Sequence, residues 1–176
     1  ANVNGKGAPG ARNSCLSFAA GRYVAFLDSD DRWKSIKLQR QLRHLAEEGV
    51  VFSFSSYLCI SEEGSVMHEV TAPKTIGLHR LLFGNFIGCL TVVYDSDYFG
   101  KFYQPDIKKR NDYALWLKML LSCPEARAES VVEPLAEYRV NSYGLSANKF
   151  YAIWYYYRCI REFGGVSFIT AILLVP

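Results

Sequence analysis

Three carboxylates that follow an apolar segment are the feature of this sequence best suited to chemistry. Residues 23–27 are apolar, rich in β-branched and aromatic side chains and preceded by Gly21, which predicts a buried strand. Asp28, Asp30 and Asp31 come directly after it. Carboxylates this close repel one another unless a cation lies between them, and oxygen ligands favour a hard divalent ion such as Mg²⁺ or Mn²⁺. The pattern therefore predicts a metal site that could also neutralise a diphosphate.

Two other kinds of acidic loop fit this stretch less well. In a calcium-binding loop counted from Asp28, Trp33 stands where a glycine belongs and Gln39 where a glutamate belongs. A haloacid-dehalogenase-like phosphatase also places an Asp-x-Asp after an apolar strand, but it has Thr or Val where this chain has Arg32. The phosphatase is kept as an alternative, beside a solvated acidic loop that binds nothing.

The composition is that of a globular protein rather than a disordered chain. The 176 residues are 50% hydrophobic and 15% aromatic, which is enough to bury a sizeable core. A formal net charge of +3 is too small to indicate binding to nucleic acid, so nucleic acid is not expected as a partner. The five cysteines are scattered and form no Cys-x-x-Cys motif, which favours buried free thiols in a reducing, cytoplasmic environment.

Helical and extended patterns alternate along the chain and predict an α/β sandwich with a mostly parallel sheet. In the helix that follows the acidic loop, Ser35 is the predicted N-cap. The alternation from Val51 to Ser55 predicts a half-buried strand. Helices are predicted over residues 9–20, 35–48, 78–83, 112–122 and 148–163, and strands over residues 23–27, 50–60, 66–70, 89–94 and 131–140.

The C-terminal part of the chain is aromatic and apolar. Residues 154–157 read Trp-Tyr-Tyr-Tyr, which predicts core packing or a membrane-facing rim. Residues 166–175 are apolar but about half as long as a membrane span requires, so a last core helix or a membrane-surface contact is expected. The basic residues 108–110 are expected to form a solvated loop or to contact phosphate or a membrane surface. We therefore divide the chain into a catalytic part, 1–150, and a C-terminal segment, 151–176.

Three motifs in the same order resemble the family 2 glycosyltransferases. The first combines residues 7–13 (Gly-Ala-Pro-Gly-Ala-Arg-Asn) with the strand and its acidic end at 20–33 and with Lys37-Leu38, and the second is residues 110–117 (Arg-Asn-Asp-Tyr-Ala-Leu-Trp-Leu). The third is residues 133–139 with Ser142, Ser146 and Asn148. Each motif alone is weak, but the three together are specific. The two strands that open family members are not recognisable in the chain, so we expect a fragment truncated at its N-terminus, with an incomplete sheet.

The resemblance implies a GT-A fold, in which a Rossmann-like nucleotide half and an acceptor half share one sheet. It also implies transfer of a sugar, with inversion, from a nucleotide-sugar donor that we expect to be UDP-linked. The acceptor would be a glycan or a lipid-linked glycan in surface polysaccharide synthesis, at the cytoplasmic face of a bacterial membrane with a peripheral membrane contact. A non-catalytic fragment or binding module that keeps the fold is the alternative.

The resemblance also assigns roles to residues and implies Mn²⁺ or Mg²⁺ as the cofactor. The catalytic base would be Asp112, and the metal ligands would be Asp28 and Asp30. The donor-binding residues would be Arg12, Asp28, Ser29 and Arg139. The acceptor region would contain Gly88, Thr91, Arg110 and Asn111.

Two of these residues carry a charge whose position in a helix matters. Asp112 opens a predicted helix, where the helix dipole favours the ionised carboxylate that a base needs. Taken alone, Asp112 would be an ordinary acid at a helix start, and the motif around it favours the base. Arg12 lies in the first turn of another predicted helix, where its charge opposes the dipole. We therefore expect an anionic partner for Arg12, either a phosphate or one of the aspartates.

Overall fold

The computed structural model describes residues 7–140 and 149–174, so the motif residues Ser142, Ser146 and Asn148 lie outside the described part of the chain. The helices are α1 (Gly7–Phe18), α2 (Lys37–Leu45), α3 (Leu78–Leu81), α4 (Ser96–Phe99), α5 (Asn111–Ser122), α6 (Lys149–Phe163) and α7 (Phe168–Leu174), and a 3₁₀ turn spans Cys89–Thr91. The strands are β1 (Tyr23–Ala25), β2 (Arg32–Trp33), β3 (Phe52–Ile60), β4 (Val66–Val70), β5 (Thr75–Ile76), β6 (Val93–Asp95) and β7 (Ala128–Arg139).

The strands form one sheet in the order β1-β6-β3-β7-β2, with β4 beside β3 and β5 beside β7. The predicted α/β architecture is confirmed, but the expectation of a mostly parallel sheet is wrong. Among the described pairings β3–β7 is parallel and the others are antiparallel. For the β3–β4 pair the physical reason is the length of the connection, since a parallel crossover needs a dozen or more residues. Only residues 61–65 separate β3 from β4, so these two strands must run antiparallel.

Strand β3 is buried on both faces rather than on one. Phe52 and Phe54 are fully buried, and so is Ser53 between them. The Ser53 hydroxyl accepts a hydrogen bond from Gln41 Nε2 at 3.2 Å and lies 3.1 Å from His44 Nδ1. The prediction of a half-buried strand is therefore wrong, because α2 covers the serine face with polar side chains of its own.

The start of α2 differs from the prediction. Ile36 occupies the N-cap position and makes no side-chain capping bond. The Lys37 N–H donates to the Lys34 carbonyl oxygen at 3.0 Å. A backbone turn therefore supplies the acceptor for this N–H, in place of the predicted Ser35 side chain. Lys37 itself is fully buried, with its Nζ 4.3 Å from the centroid of the Trp33 ring. Burial lowers the pKa of Lys37 to about 7.

Helix α5 lies at the centre of the hydrophobic core. Tyr113 and Trp116 are fully buried, as expected for a helix that is apolar on nearly all sides. Trp116 meets Phe52 of the sheet edge-on, with 5.4 Å between ring centroids. On the other side Tyr113 stacks on Tyr156 of α6 at 5.6 Å. Helix α5 is thus held between the sheet and α6, which fixes the position of its first turn.

Helices α6 and α7 contain the predicted C-terminal aromatic segment. Tyr156 is buried, Trp154 is 56% exposed and Leu173 is 79% exposed, so this segment contributes both to the core and to the surface. No helix within residues 7–140 and 149–174 has the length and apolar character needed to cross a membrane. The division of the chain at residue 150 stays a prediction.

The cysteines are free thiols, as predicted from their spacing. Cys59 and Cys159 are buried, while Cys89 and Cys123 are half-buried. Cys15 is exposed, so the expectation of burial is wrong there, because Cys15 lines an open cleft between α1 and the segment after Val24.

Candidate active site

A cleft of about 500 Å³ brings the two acidic motifs of the sequence together. Asp28 and Asp31 line it from the turn after β1, and Asp112 lines it from the first turn of α5. Residues 85–90 form a further part of the wall. Carboxylates that are far apart in the sequence therefore face one space.

The acidic turn after β1 has the donor set of a divalent cation site. Carboxylate oxygens of Asp28, Asp30 and Asp31 lie within 4.8 Å of one another. Asp31 Oδ1 accepts a hydrogen bond from the Arg139 backbone N–H at 3.0 Å. Burial, with a smaller contribution from the neighbouring negative charges, raises the pKa of Asp31 to about 6. A bound cation would relieve this repulsion, and the all-oxygen set suits Mg²⁺ or Mn²⁺.

Arg12 is the positive charge at the centre of the cleft. Its Nε donates to Asp28 Oδ1 at 2.9 Å, and a terminal nitrogen pairs with Asp28 Oδ2. The other terminal nitrogen donates to Asn111 Oδ1 at 3.0 Å and to Gln104 Oε1 at 3.1 Å. Burial lowers the pKa of the Arg12 guanidinium, but the hydrogen bonds to Asp28 and the nearby acids raise it by more. The anionic partner of Arg12 in the structure is therefore Asp28.

Asp112, the predicted base, lines the same cleft as Asp28 and Asp31 of the acidic turn. Asn85 Nδ2 donates to Asp112 Oδ2 at 3.1 Å. Burial raises the pKa of Asp112, and this outweighs the hydrogen bond from the Tyr113 N–H and the charge of Arg12. The helix start does favour the ionised form, through the Tyr113 N–H, but burial outweighs that contribution. A raised pKa gives the carboxylate a higher proton affinity, which suits a general base.

Arg139 holds the acidic turn through backbone oxygens. Its Nε donates to the Asp30 carbonyl at 3.1 Å, and one terminal nitrogen donates to the carbonyls of Ser61, at 3.0 Å, and Glu62. These bonds tie the acidic turn to the turn between β3 and β4. A direct contact between Arg139 and a diphosphate stays a prediction.

A second cleft of about 580 Å³ lies between α1 and the segment from Val24 to Asp30. Ser29 lines this second cleft, and Arg12 and Asp28 line both clefts. The predicted donor-binding residues therefore lie around one acidic turn, with open space on its two sides. Their contacts with a donor stay predictions.

The residues predicted for the acceptor region do not all line the main cleft. Gly88 and Asn111 line the main cleft. A Cβ atom at Gly88 would lie 3.2 Å from the Tyr57 ring, which leaves little room for any other residue. Thr91 is fully buried and its hydroxyl donates to the Gly88 carbonyl at 2.7 Å, so it supports this wall from behind. Arg110 lines a third, smaller cleft.

The sequence analysis missed two polar residues of the site. Asn85 lies in the loop between Gly84 and Gly88, and a polar residue inside that loop was the available signal. Gln104 is 92 positions from Arg12 in the chain and offers no local signal. Both act on residues that were predicted: Asn85 on Asp112, and Gln104 on Arg12.

Comparison with known proteins supports the resemblance to the family 2 glycosyltransferases. A model of the Glycosyl transferase family 2 matches residues 1–102. The putative teichuronic acid biosynthesis glycosyltransferase TuaG of Bacillus subtilis (strain 168) is 40% identical over 160 residues, covering 89% of this chain and 63% of TuaG. WfgD of Escherichia coli, a UDP-Glc:alpha-D-GlcNAc-diphosphoundecaprenol beta-1,3-glucosyltransferase, is 38% identical over 149 residues, covering 85% of this chain and 58% of WfgD. The chain thus spans less than two thirds of the length of either relative.

A solved structure shows the same fold. The crystal structure of S. aureus TarS 1-349 in complex with UDP-GlcNAc superposes with a TM-score of 0.62 at 18% sequence identity, covering 98% of this chain and 51% of TarS 1-349. This similarity confirms the expected GT-A-like fold. Because the family model matches more than half of the residues, the chain belongs to glycosyl transferase family 2.

Proposed function

We propose that the protein is an inverting, metal-dependent glycosyltransferase. It moves a sugar from a UDP-linked donor to a lipid-linked glycan during synthesis of a surface polysaccharide. The observation that carries this proposal is the shared cleft of about 500 Å³, which is lined both by Asp112 and by Asp28 and Asp31 of the acidic turn.

The acidic turn supports a role for Mn²⁺ or Mg²⁺ as the cofactor. Asp28, Asp30 and Asp31 would hold the ion, because their carboxylate oxygens already lie within 4.8 Å of one another. When bound, such an ion offsets the negative charge of the leaving diphosphate. Arg12 shares Asp28 with this site and, with Ser29 and Arg139, would position the donor.

Asp112 supports general-base catalysis of the transfer. An acceptor hydroxyl in the cleft gives its proton to an Asp112 carboxylate oxygen while the hydroxyl oxygen attacks the anomeric carbon. The bond from that carbon to the diphosphate breaks at the same time, and the diphosphate leaves with the electron pair. Attack from the opposite face inverts the anomeric centre. Asn85 orients the base through its 3.1 Å hydrogen bond to Oδ2.

The names of the relatives support the choice of donor and acceptor. WfgD and WfaP of Escherichia coli are both named as glucosyltransferases that use UDP-Glc and a GlcNAc-diphosphoundecaprenol acceptor. TarS has been crystallised with UDP-GlcNAc and with UDP. A UDP-linked donor and an acceptor that carries a lipid diphosphate are therefore the substrate classes that we propose for this protein.

A peripheral contact with the cytoplasmic face of the membrane follows from such an acceptor. Large apolar side chains of α6 and α7 are exposed, among them Trp154 at 56% and Ile169 at 70%. These side chains could rest in the interfacial region of a bilayer without crossing it. We therefore propose that the C-terminal segment 151–176 lies close to the membrane.

The family membership sets aside the phosphatase alternative, and one variant separates the enzyme from a non-catalytic module. The wild-type chain and Asp112→Asn are compared for transfer of glucose from UDP-Glc to a synthetic GlcNAc-diphospho-lipid, with Mn²⁺ present. Loss of the base lowers the rate by about 10²- to 10⁴-fold, while UDP binding is retained.

The matched control is Asp97→Asn, the same change at a carboxylate whose side chain is 73% exposed. Asp97→Asn should transfer glucose at the wild-type rate. Equal rates in Asp112→Asn and the wild type would reject Asp112 as the base. Absence of transfer by the wild-type chain, with UDP binding intact, would favour the non-catalytic module.

A further inference from the structure

A small cleft of about 200 Å³ lies beside the active site. The segments 83–86 and 110–112 border both spaces. Phe83, Gly84 and Arg110 line the small cleft, whereas the residues that follow them in sequence, among them Asn85 and Asp112, line the main one. A ligand held in the small cleft would therefore sit next to the proposed base.

The small cleft combines an apolar wall with a single positive charge. Ala152, Ile153 and Tyr156 of α6 complete its lining. Phe83 is 68% exposed and Ile153 is 40% exposed, so apolar surface is available to a ligand. Arg110 is the one charged side chain among the described lining residues, and this chemistry suits an amphiphile that carries an anionic group.

The backbone of Arg110 is held in an uncommon conformation. Its φ is 58°, in the left-handed region that favours glycine, and it occupies the N-cap position of α5. The Arg110 carbonyl accepts the first hydrogen bond of α5, from the Ala114 N–H at 3.0 Å. Its guanidinium carbon lies 5.8 Å from the centroid of the Tyr156 ring. This conformation places Arg110 at the start of α5, with its guanidinium beside the Tyr156 ring that lines the small cleft.

The charge of Arg110 also acts on the active site. Arg110 is among the groups that oppose the rise in the pKa of Asp112, so its positive charge lies close to the proposed base. Lys108 and Lys109 precede it in the chain and add positive charge to the same loop. An anionic group in the small cleft would thus be attracted by the charge of Arg110.

We propose that the small cleft binds the phosphate-bearing lipid end of the acceptor, with Arg110 at the phosphate and Phe83, Ile153 and Tyr156 against the hydrocarbon. This inference rests on the proposed function and adds a site to it. A sugar attached to that phosphate would extend past Gly84 and Asn85 towards Asp112. The cleft would thereby select acceptors that carry a lipid phosphate over soluble glycans.

Farnesyl diphosphate is a suitable probe, because it joins a diphosphate to a short isoprenoid chain. Its binding to the 176-residue chain is measured by calorimetry in EDTA, so that the acidic turn cannot capture the diphosphate through a metal ion. Arg110→Gly removes the charge and suits the left-handed backbone, and Ile153→Asp places a carboxylate on the apolar wall. Arg161→Gln removes an exposed charge from α6 that does not line the cleft.

We expect Arg110→Gly and Ile153→Asp each to weaken farnesyl diphosphate binding at least tenfold, and Arg161→Gln to leave it unchanged. Inorganic diphosphate and farnesol should each bind more weakly than the joined molecule. Equal affinity in Arg110→Gly and the wild type would overturn the proposal. So would binding of the wild type to phosphatidylglycerol vesicles but not to farnesyl diphosphate, because the cationic surface would then serve a bilayer.

Failure of the proposed function gives a different pattern. UDP binding by the wild-type chain in Mn²⁺ reports on the donor site alone. Arg110-dependent binding of farnesyl diphosphate without UDP binding would leave a lipid-phosphate site and reject sugar transfer. UDP binding without farnesyl diphosphate binding would keep the transferase and reject the acceptor cleft.

Discussion

Arg12 and Asp28 form a two-point ion pair that separates the main cleft from the cleft between α1 and β1. The Arg12 side chain is 14% exposed, whereas that of Asp28 is 36% exposed. Arg12 also donates to Asn111, the neighbour of Asp112. One guanidinium thus connects the acidic turn to the start of α5, which carries the proposed base.

Replacing Arg12 should destabilise the fold, because Asp28 and Asn111 would lose their shared donor. We expect Arg12→Gln to lower the free energy of unfolding by about 2–3 kcal/mol, which is less than for a fully buried pair because Asp28 is partly solvated. Urea denaturation followed by circular dichroism measures this change. The control is Arg158→Gln at the ion pair with Glu162, whose two side chains are 34% and 40% exposed, where a much smaller change is expected. Equal losses in the two variants would contradict a central role for Arg12.

Removing the hydrogen bond from Asn85 should change the pH dependence of transfer. The Asn85 amide favours the ionised form of Asp112, so Asn85→Ala should raise the pKa of the base further. Activity falls as the pH drops through that pKa, and the acidic limb of kcat/KM should therefore move to higher pH, by about half a unit to one unit. A lower kcat with an unmoved acidic limb would show that Asn85 positions the loop without acting on Asp112.

Lys37 should make the stability of the protein depend on pH in the alkaline range. Its pKa is about 7 in the folded state and about 10.4 in an unfolded chain, so the unfolded state binds more protons between these values. Stability therefore rises with pH across this window, by about 2 kcal/mol between pH 7 and pH 9. Lys37→Met fills the same space without a titrating group and should lack this rise.

Comparing the wild-type protein with the Lys37→Met variant separates the contribution of Lys37 to the pH dependence of stability from that of the other titrating groups. Urea denaturation of the wild type and Lys37→Met at pH 6, 7 and 9 gives the difference at each pH. Lys37→Met should be the more stable protein at pH 6, since it buries no charge. Parallel stability profiles would show that the ammonium is solvated rather than packed against Trp33.

The acidic motifs could be predicted because the local sequence carries them. The three aspartates after an apolar strand and Asp112 at a helix start are recognisable within short windows, and the structure places both motifs at one cleft. Gly88 was also predicted to belong to the site. In the structure it lines the main cleft, and a Cβ atom there would crowd the Tyr57 ring. A short stretch of sequence can therefore predict which residue types are present and whether they lie in a helix, a strand or a loop.

The other features depend on contacts that are distant in the chain. Asn85 meets Asp112 across 27 positions, and Gln104 meets Arg12 across 92. Ser53 looked solvent-facing because it alternates with phenylalanines, yet Gln41 of α2 covers it. The direction of the Asp112 pKa was missed because burial, a property of the folded chain, outweighs the helix start. These contacts and this burial can be identified only once the three-dimensional structure is known.

The central claim is that the acidic turn binds a metal ion together with a nucleoside diphosphate. Calorimetric titration of the chain with UDP, in Mn²⁺ and in EDTA, tests it beside Asp30→Ala and the control Glu48→Ala, an exposed acid that lines neither of the two larger clefts. We expect UDP binding that requires Mn²⁺, is weakened at least tenfold in Asp30→Ala and is unchanged in Glu48→Ala. UDP binding that is equally strong in EDTA or in Asp30→Ala, or no binding by the wild type, would contradict it.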